Sequence, residues 1–463
     1  MSDAAPEAHG IPSEALLALV DALEAEGLDP HALAVARHGD VVFECAWRPY
    51  SLDQPALVYS ASKTFTSLAI GFLDAEGTLA LDDSVGDLLG LPNPHGLTVR
   101  HLLTMNTGHD AEQIDSLLFD VRALLSVPPA AAPGTRFAYN SDATYALSCI
   151  VTALTGERLT DYLRPRLLDP LGIGQRWMKP ARTVEQGFSG YHLTVGDLAR
   201  VAIMLGDGGR YRGVRIVPER YVRELSQAWS DTRDPGQPED PDNDWARGYG
   251  YQVWLGRQGF RLDGAYGQFG LVLPERGLVI AYQGATLDTQ RTLSAFWRFA
   301  DAVADEPVPV DPAATAALQR RAEALDGWDT RAMLTGAPDG AIDTTGWRIE
   351  EAGSGWTVTL PSGQTLPIGT GEWARTTLPI AAPPDAGDPV VRSPHVADGT
   401  HVAVAARGAR DDDGVLVHLV VPTSPHRLIL RRREDGRLSG AWHTVPLQGP
   451  TLAALAVPEW VVG

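Results

Sequence analysis

The chain has 463 residues and a mass of 49.7 kDa, enough for two or three domains, or for one large domain with a smaller one. Hydrophobic residues are 44% and charged residues 21% of an ordinary globular balance, and 47 Gly with 34 Pro stay below the roughly 25–30% share that marks low-complexity chains. The 58 acids against 38 bases give a net charge of −20, which repels phosphate backbones and anionic membrane surfaces and excludes nucleic acid and membrane as expected partners.

No apolar run approaches the roughly 20 residues of a membrane span. The first ten residues carry no basic region, and the apolar run Ala15 to Val20 is too short for a secretory leader. The expectation is a soluble, cytoplasmic protein. Two cysteines, Cys45 and Cys149, suggest neither a disulfide framework nor a thiolate metal site. Cys149 lies in an apolar helical run and reads as core.

In chain order, Ser13 to Gly27 reads as an amphipathic helix that Ser13 can cap and Gly27 stops. Leu33 to Arg37 and Val41 to Trp47 read as a hairpin around His38-Gly39-Asp40. Ala61 to Glu76, Thr144 to Thr155 and Val195 to Leu205 have helical periodicity. Ser230 to Asp244 is Pro-rich and acidic, either a solvated loop or a flap beside a site. Tyr249 to Leu255, Phe269 to Leu273 and Leu278 to Tyr282 read as strands, and Leu293 to Val303 as a closing helix. This order predicts an α+β fold with helices packed on an antiparallel sheet.

Prolines 307, 309 and 312 mark a boundary. The expected organisation is a catalytic domain over residues 1–309 and a mostly β module over 310–463. The module opens with a helical stretch, Ala313 to Leu325. Short strands follow at Trp356 to Leu360, His401 to Ala405, Val415 to Val421 and Arg427 to Arg431. Arg431-Arg432-Arg433 reads as a solvated strand end. Three roles are open to this module: covering the mouth of a site, mediating a homodimer, or stabilising the catalytic domain.

The chemistry centres on Tyr59-Ser60-Ala61-Ser62-Lys63. Residues three apart share a helix face, so Lys63 can reach Ser60 Oγ. A serine needs a neighbouring base to become a nucleophile, and a lysine desolvated by burial can be that base. A helix start also stabilises negative charge at Ser60. The plain alternative is a capping serine beside an exposed lysine. Only two lysines, Lys63 and Lys179, stand among the 38 bases, which favours a lysine kept for its chemistry.

The surrounding motifs resemble the serine β-lactamase and penicillin-binding-protein superfamily, in its class C-like branch of esterases, peptidases and amide hydrolases. Ser60-Ala61-Ser62-Lys63-Thr64-Phe65-Thr66-Ser67 is similar to its first motif, and Glu76 to Asp83 to the turn that follows. Thr98 to Met105 is similar to its "LLTM" helix, and Asp169 to Ile173 also fits. The resemblance spans roughly residues 15–300 and implies a β-lactamase/transpeptidase-like antiparallel sheet flanked by helices, with an all-α lobe.

The family's second motif, Tyr-x-Asn, falls on Tyr139-Asn140-Ser141. The resemblance implies a proton-shuttling role for Tyr139, against the alternative of a buried structural tyrosine. Ser141 replaces the asparagine, which puts side-chain amide contacts to a substrate in doubt. The third motif, usually Lys-Thr-Gly or His-x-Gly, falls on Leu262-Asp263-Gly264. It has no cation to hold a substrate carboxylate, which argues against a dedicated β-lactamase. Gly264-Ala265-Tyr266-Gly267-Gln268 is similar to a stretch in amide and ester hydrolases resembling 6-aminohexanoate-dimer hydrolase. On that alignment the Ala265 N–H pairs with that of Ser60 as an oxyanion hole.

His192, Trp177 and Tyr266 are candidates for pocket walls, each with core packing as the competing reading. No histidine spacing suggests a metal, and no Gly-x-Ser-x-Gly elbow, Walker or dinucleotide pattern appears. The expectation is a serine hydrolase of small esters or amides, working through a Ser60 acyl-enzyme without metal or organic cofactor. Its alternatives are a D,D-peptidase or β-lactamase, and a catalytically silent binding protein on the same fold.

Overall fold

The computed structural model describes residues 5–462, apart from 235, 237, 239, 354, 382–390 and 392. Three positions of the acidic loop expected at 230–244 thus lie outside the described residues.

The central sheet has six antiparallel strands, in the order Trp254–Leu255, Phe260–Gly264, Gln268–Leu273, Leu278–Gly284, Pro30–Arg37 and Asp40–Ala46. Alternation along the strands builds two cores. Leu33, Val35, Leu271 and Ile280 face the helices Ser13–Ala25 and Thr289–Ala302. Ala32, Ala34, Ala36 and Ala281 face the other layer, where the helix Val195–Gly206 packs on the sheet. Small side chains on that face let the helix approach closely. Because both faces are covered, all eight residues of Pro30–Arg37 are buried.

The second core continues into a lobe of helices: Ser62–Ala75, Val85–Leu89, Val99–Leu103, Ala111–Leu117, Val121–Ser126, Ser141–Thr155 and Leu159–Leu163. Ser62–Ala75 lies between this lobe and the sheet, and twelve of its residues are buried. It therefore places its own N-terminus at the junction of the two layers.

The C-terminal part starts with the helix Pro312–Ala324, which packs on Ser13–Ala25. It continues as a three-stranded sheet (Arg348–Ala352, Gly355–Thr359, Thr365–Ile368). A five-stranded antiparallel sheet follows (Ala374–Pro379, His401–Asp411, Gly414–Val420, Arg427–Arg432, Leu438–Trp442). Both contribute to one apolar core around Val358, Val404, Val417 and Trp442. Arg431 pairs with Asp411 at 2.7 Å and Arg432 donates to the Ile349 carbonyl, so the basic strand end is partly engaged.

Several expectations need correction. The cap of the first helix is Pro12, and the Ser13 N–H donates to Glu7 instead. Of Tyr249 to Leu255, only Trp254–Leu255 is a strand. Asp244 is fully buried and accepts from Trp297, Gln290 and Arg257, so this end of the acidic loop is anchored rather than solvated. The strand Phe260–Gly264 was not expected, and it flanks the site.

Candidate active site

Ser60 sits in a 3-10 turn, Tyr59–Ala61, that runs directly into the helix Ser62–Ala75. The turn is fixed from outside. Ser62 Oγ donates to the Tyr59 carbonyl at 2.6 Å and accepts from the Tyr191 N–H at 3.2 Å. The Val58 N–H donates to the Tyr191 carbonyl at 2.9 Å. Tyr59 has φ of 47°, a left-handed conformation that costs a non-glycine residue on the order of 1–2 kcal/mol. Such strain persists only where surrounding contacts hold it.

Lys63 is 1% exposed. Its Nζ lies 3.1 Å from Ser60 Oγ, 3.2 Å from Ser141 Oγ and 2.9 Å from the Phe188 carbonyl oxygen. Burial pushes its ammonium down to about 7, with Asp263 and Asp142 pulling the other way. A neutral amine has two N–H donors and one lone pair. The Phe188 carbonyl can only accept and takes one N–H, so the lone pair is left for a hydroxyl of Ser60 or Ser141.

Tyr139 lies just before the helix Ser141–Thr155. The Thr98–Met105 segment holds it there: the Ala138 N–H donates to the Met105 carbonyl at 3.1 Å, and the Asn140 N–H reaches Met105 Sδ at 3.1 Å. Asn140 is fully buried and caps the helix through the Ala143 N–H. It has no freedom to act in the pocket. Tyr139 stacks on Trp254 with ring centroids 5.7 Å apart and is 37% exposed, while Lys63 Nζ stands 4.8 Å from its ring centre. Burial of its hydroxyl raises the Tyr139 pKa, and the Ser60 hydroxyl works against that shift.

The third side is the end of strand Phe260–Gly264. A Cβ on Gly264 would collide with the Val58 carbonyl oxygen and stand 3.2 Å from the Ala61 nitrogen. Only glycine lets this strand lie against the serine turn. Ala265 follows, half-buried. Among the described residues, the backbone N–H groups of Ser60 and Ala265 have no hydrogen-bond acceptor. Tyr266 has φ of 66°, and its hydroxyl donates to the Val445 carbonyl at 2.6 Å. Asp263 is the middle residue of Leu262-Asp263-Gly264, the segment expected as the third motif, and Leu262, which carries no charge, stands first in it. Burial raises the Asp263 pKa, opposed by Arg261, which pairs with it at 2.7 Å.

The structure thus brings together Ser60, Lys63, Tyr139 and Ser141, with Gly264 and Ala265 beside the serine turn. It does not bring His192 to them by any hydrogen bond. His192 lies in a small sheet between Leu57 and Trp177, packs its ring at a tilt against Trp177 with centroids 5.0 Å apart, and its Nδ1 faces the Gly190 carbonyl at 2.9 Å. Burial holds it near pKa 4, so it is neutral. Trp177 packs with Val396, Val457 and Val461 and is a contact with the C-terminal part.

Three residues near the site, Phe188, Gln252 and His426, escaped the sequence reading, and Asp263 entered it only as part of a motif. Phe188 supplies the carbonyl for Lys63. Gln252 ties three helices together. Its carbonyl accepts from Thr64, its side-chain oxygen accepts from Thr144, and its amide donates to the carbonyls of Leu102 and Leu103. Asp263 faces Lys63 electrostatically, and His426 contacts Tyr59 at 2.5 Å. The one available signal was the missing cation in Leu262-Asp263-Gly264. No cluster of three or more His, Cys, Asp or Glu among the described residues could hold a metal ion.

The β-lactamase family model matches residues 19–305, more than half of the chain. Penicillin-binding protein 4 of Amycolatopsis lactamdurans is 27% identical over 329 residues, which is 60% of this chain and 82% of that protein. Among solved structures, EstCE1, a hydrolase with promiscuous acyltransferase activity, aligns with a TM-score of 0.50 and 17% identity, over 63% of this chain and 98% of its own. SurE with D-Leu aligns with a TM-score of 0.51 and 18% identity. That alignment covers 89% of this chain and 98% of SurE, and so reaches past residue 305. These two share the fold. The chain belongs to the β-lactamase family of serine hydrolases.

Proposed function

We propose that this enzyme cleaves small esters or amides through an acyl-enzyme on Ser60. The observation that carries the reading is the buried Lys63 amine, 3.1 Å from Ser60 Oγ with its other contacts on Phe188 and Ser141. In the first step Ser60 Oγ bonds to the substrate carbonyl carbon and its proton passes to Lys63 Nζ. The Ser60 and Ala265 N–H groups hold the negative oxygen. Lys63 returns the proton to the leaving group by way of the Tyr139 hydroxyl, and the acyl bond to the leaving group breaks. Water then attacks the acyl-enzyme, giving its proton back along the same groups and freeing Ser60.

The expected third-motif segment, Leu262-Asp263-Gly264, narrows the substrate. No cation stands in this segment to hold the carboxylate that a β-lactam or D-alanyl peptide presents, and Asp263 is itself paired with Arg261 at 2.7 Å. This supports neutral acyl groups over the D,D-peptidase and β-lactamase reading.

The test is intact-mass analysis after fluorophosphonate treatment of wild type and Ser60→Ala, with turnover of p-nitrophenyl esters and of nitrocefin. A single adduct and ester turnover, both lost in Ser60→Ala, are expected, with nitrocefin turned over far more slowly than the esters. An adduct that persists in Ser60→Ala removes Ser60 as nucleophile.

A further inference from the structure

The two expected oxyanion donors are bracketed by two tyrosines in left-handed backbone. Tyr59 precedes Ser60 with φ of 47°, and Tyr266 follows Ala265 with φ of 66°. Neither is a residue that adopts this region unaided. Both side chains end on the C-terminal part. Tyr59 Oη lies 2.5 Å from His426 Nε2 and accepts from the Leu447 N–H at 3.4 Å. Tyr266 Oη donates to the Val445 carbonyl at 2.6 Å. The three rings meet edge to face, with centroids 5.7 Å apart for Tyr59–Tyr266, 5.7 Å for Tyr59–His426 and 5.4 Å for Tyr266–His426.

The polarity of His426 is fixed. Its Nδ1 lies 2.9 Å from the Thr444 carbonyl, which only accepts, so Nδ1 carries the proton. Nε2 then has a lone pair to accept from the Tyr59 hydroxyl. Burial pushes His426 down to about 3, which keeps the ring neutral. The same loop is bound to the sheet on its other side, where His443 Nε2 lies 2.9 Å from the Ala285 carbonyl.

We propose that the C-terminal β part positions the oxyanion site, by pinning Tyr59 through His426 and Tyr266 through the Val445 carbonyl. The inference rests on the acyl-enzyme reading above. Tyr59, Tyr266 and His426 are positioning residues: they act on the amides of Ser60 and Ala265 through the backbone between them. A few tenths of an ångström at either amide decides how well it meets a developing negative oxygen.

The rate of fluorophosphonate labelling tests this without knowledge of the natural substrate. Labelling joins Ser60 Oγ to phosphorus, expels fluoride and leaves the serine proton on Lys63, while the phosphoryl oxygen occupies the oxyanion site. In the full chain, Tyr59→Phe and Tyr266→Phe each remove one hydroxyl and leave the ring. Each is expected to slow labelling about tenfold or more, against roughly 10²–10³ for loss of a whole oxyanion donor. The pH midpoint of labelling stays at the wild-type value, because Lys63 is untouched. His426→Gln, which keeps an acceptor for Tyr59, labels faster than His426→Leu. Labelling of both Phe variants within twofold of wild type, or a midpoint that moves with the rate, overturns the inference while the Ser60 reading stands. Wild type without a Ser60 adduct overturns the reading and the inference together.

Discussion

Asp29 and Arg427 stand 398 residues apart in the chain and form an ion pair at 2.8 Å, with neither side chain exposed. Burial alone would raise the Asp29 carboxyl, but Arg427 and His31 outweigh it and hold the group below the usual carboxylate range. The pair joins the central sheet to the C-terminal sheet beside His426. Its satisfaction is incomplete, since Asp29 Oδ2 and Arg427 Nε have no hydrogen-bond partner. Arg427→Met should therefore cost about 3–5 kcal/mol, because it strands a buried charge, whereas replacing both members with apolar residues should cost far less. Urea unfolding of Arg427→Met and of Asp29→Leu/Arg427→Met checks this. Equal losses in the two variants would mean that packing, not charge, dominates the site.

Lys63 sets the expected pH dependence. Its pKa is lowered to about 7 by burial, and under the proposed mechanism only the neutral amine can accept the Ser60 proton. Activity should rise as pH increases through about 7 and level off above it. Lys63→Arg cannot lose its proton and should lower kcat by roughly 10²–10⁴. The second lysine, Lys179, donates to the Ala454 carbonyl at 2.9 Å, and Lys179→Arg should keep the wild-type profile. A profile flat between pH 5.5 and 9 would remove Lys63 as the base.

Tyr139 should matter in proportion to the leaving group's need for a proton. Tyr139→Phe keeps the stack on Trp254 and removes only the hydroxyl. Amides, whose amine must be protonated to depart, should lose roughly 10²–10⁴ in kcat. Nitrophenyl esters, whose phenolate departs unaided, should lose less than amides. Parallel kcat measurements on one acyl group as its amide and its nitrophenyl ester separate the cases. Equal losses would make Tyr139 a structural wall.

The proximity of Ser60 and Lys63 was legible because residues three apart share a helix face and the surrounding motifs resemble a known family, and Tyr139 because it falls on that family's second motif. The strand Phe260–Gly264 was not legible, since its second residue is Arg261, a fully buried cation that hides the apolar alternation. That arginine is held by Asp263 and by the carbonyls of Asp244 and Leu255, partners that no local pattern announces. The strand expected from Tyr249 fails for a conformational reason. Gly248 and Gln252 both have positive φ, and Gln252 spends its polar groups on the helices. The Tyr59–His426 contact spans 367 residues, and no periodicity reaches that far. The sequence therefore pointed to the residues that meet at Ser60 and missed the distant contacts that hold its turn.

Buried neutral histidines give the last prediction its sign. Burial lowers His192 to about 4 and His426 to about 3, and holds His418 well below its ordinary value. Above pH 6.5 these rings are neutral in folded and unfolded chains alike, so they add no pH dependence. As pH falls below 6.5 the unfolded chain takes up protons that the folded chain refuses, and stability is lost until about pH 4 for His192 and about pH 3 for His426. Two of the three rings, His418 and His426, lie on the C-terminal sheet or the loop before its fourth strand. Mild acid should therefore loosen that part. The measurement is the urea midpoint at pH 7.5, 6 and 5, with fluorophosphonate labelling of Ser60 followed in parallel. The midpoint should fall below pH 6.5, and His426→Gln should fall less steeply than wild type. Midpoints that match from pH 7.5 to 5 would show these rings to be protonated in the folded chain as readily as in the unfolded one.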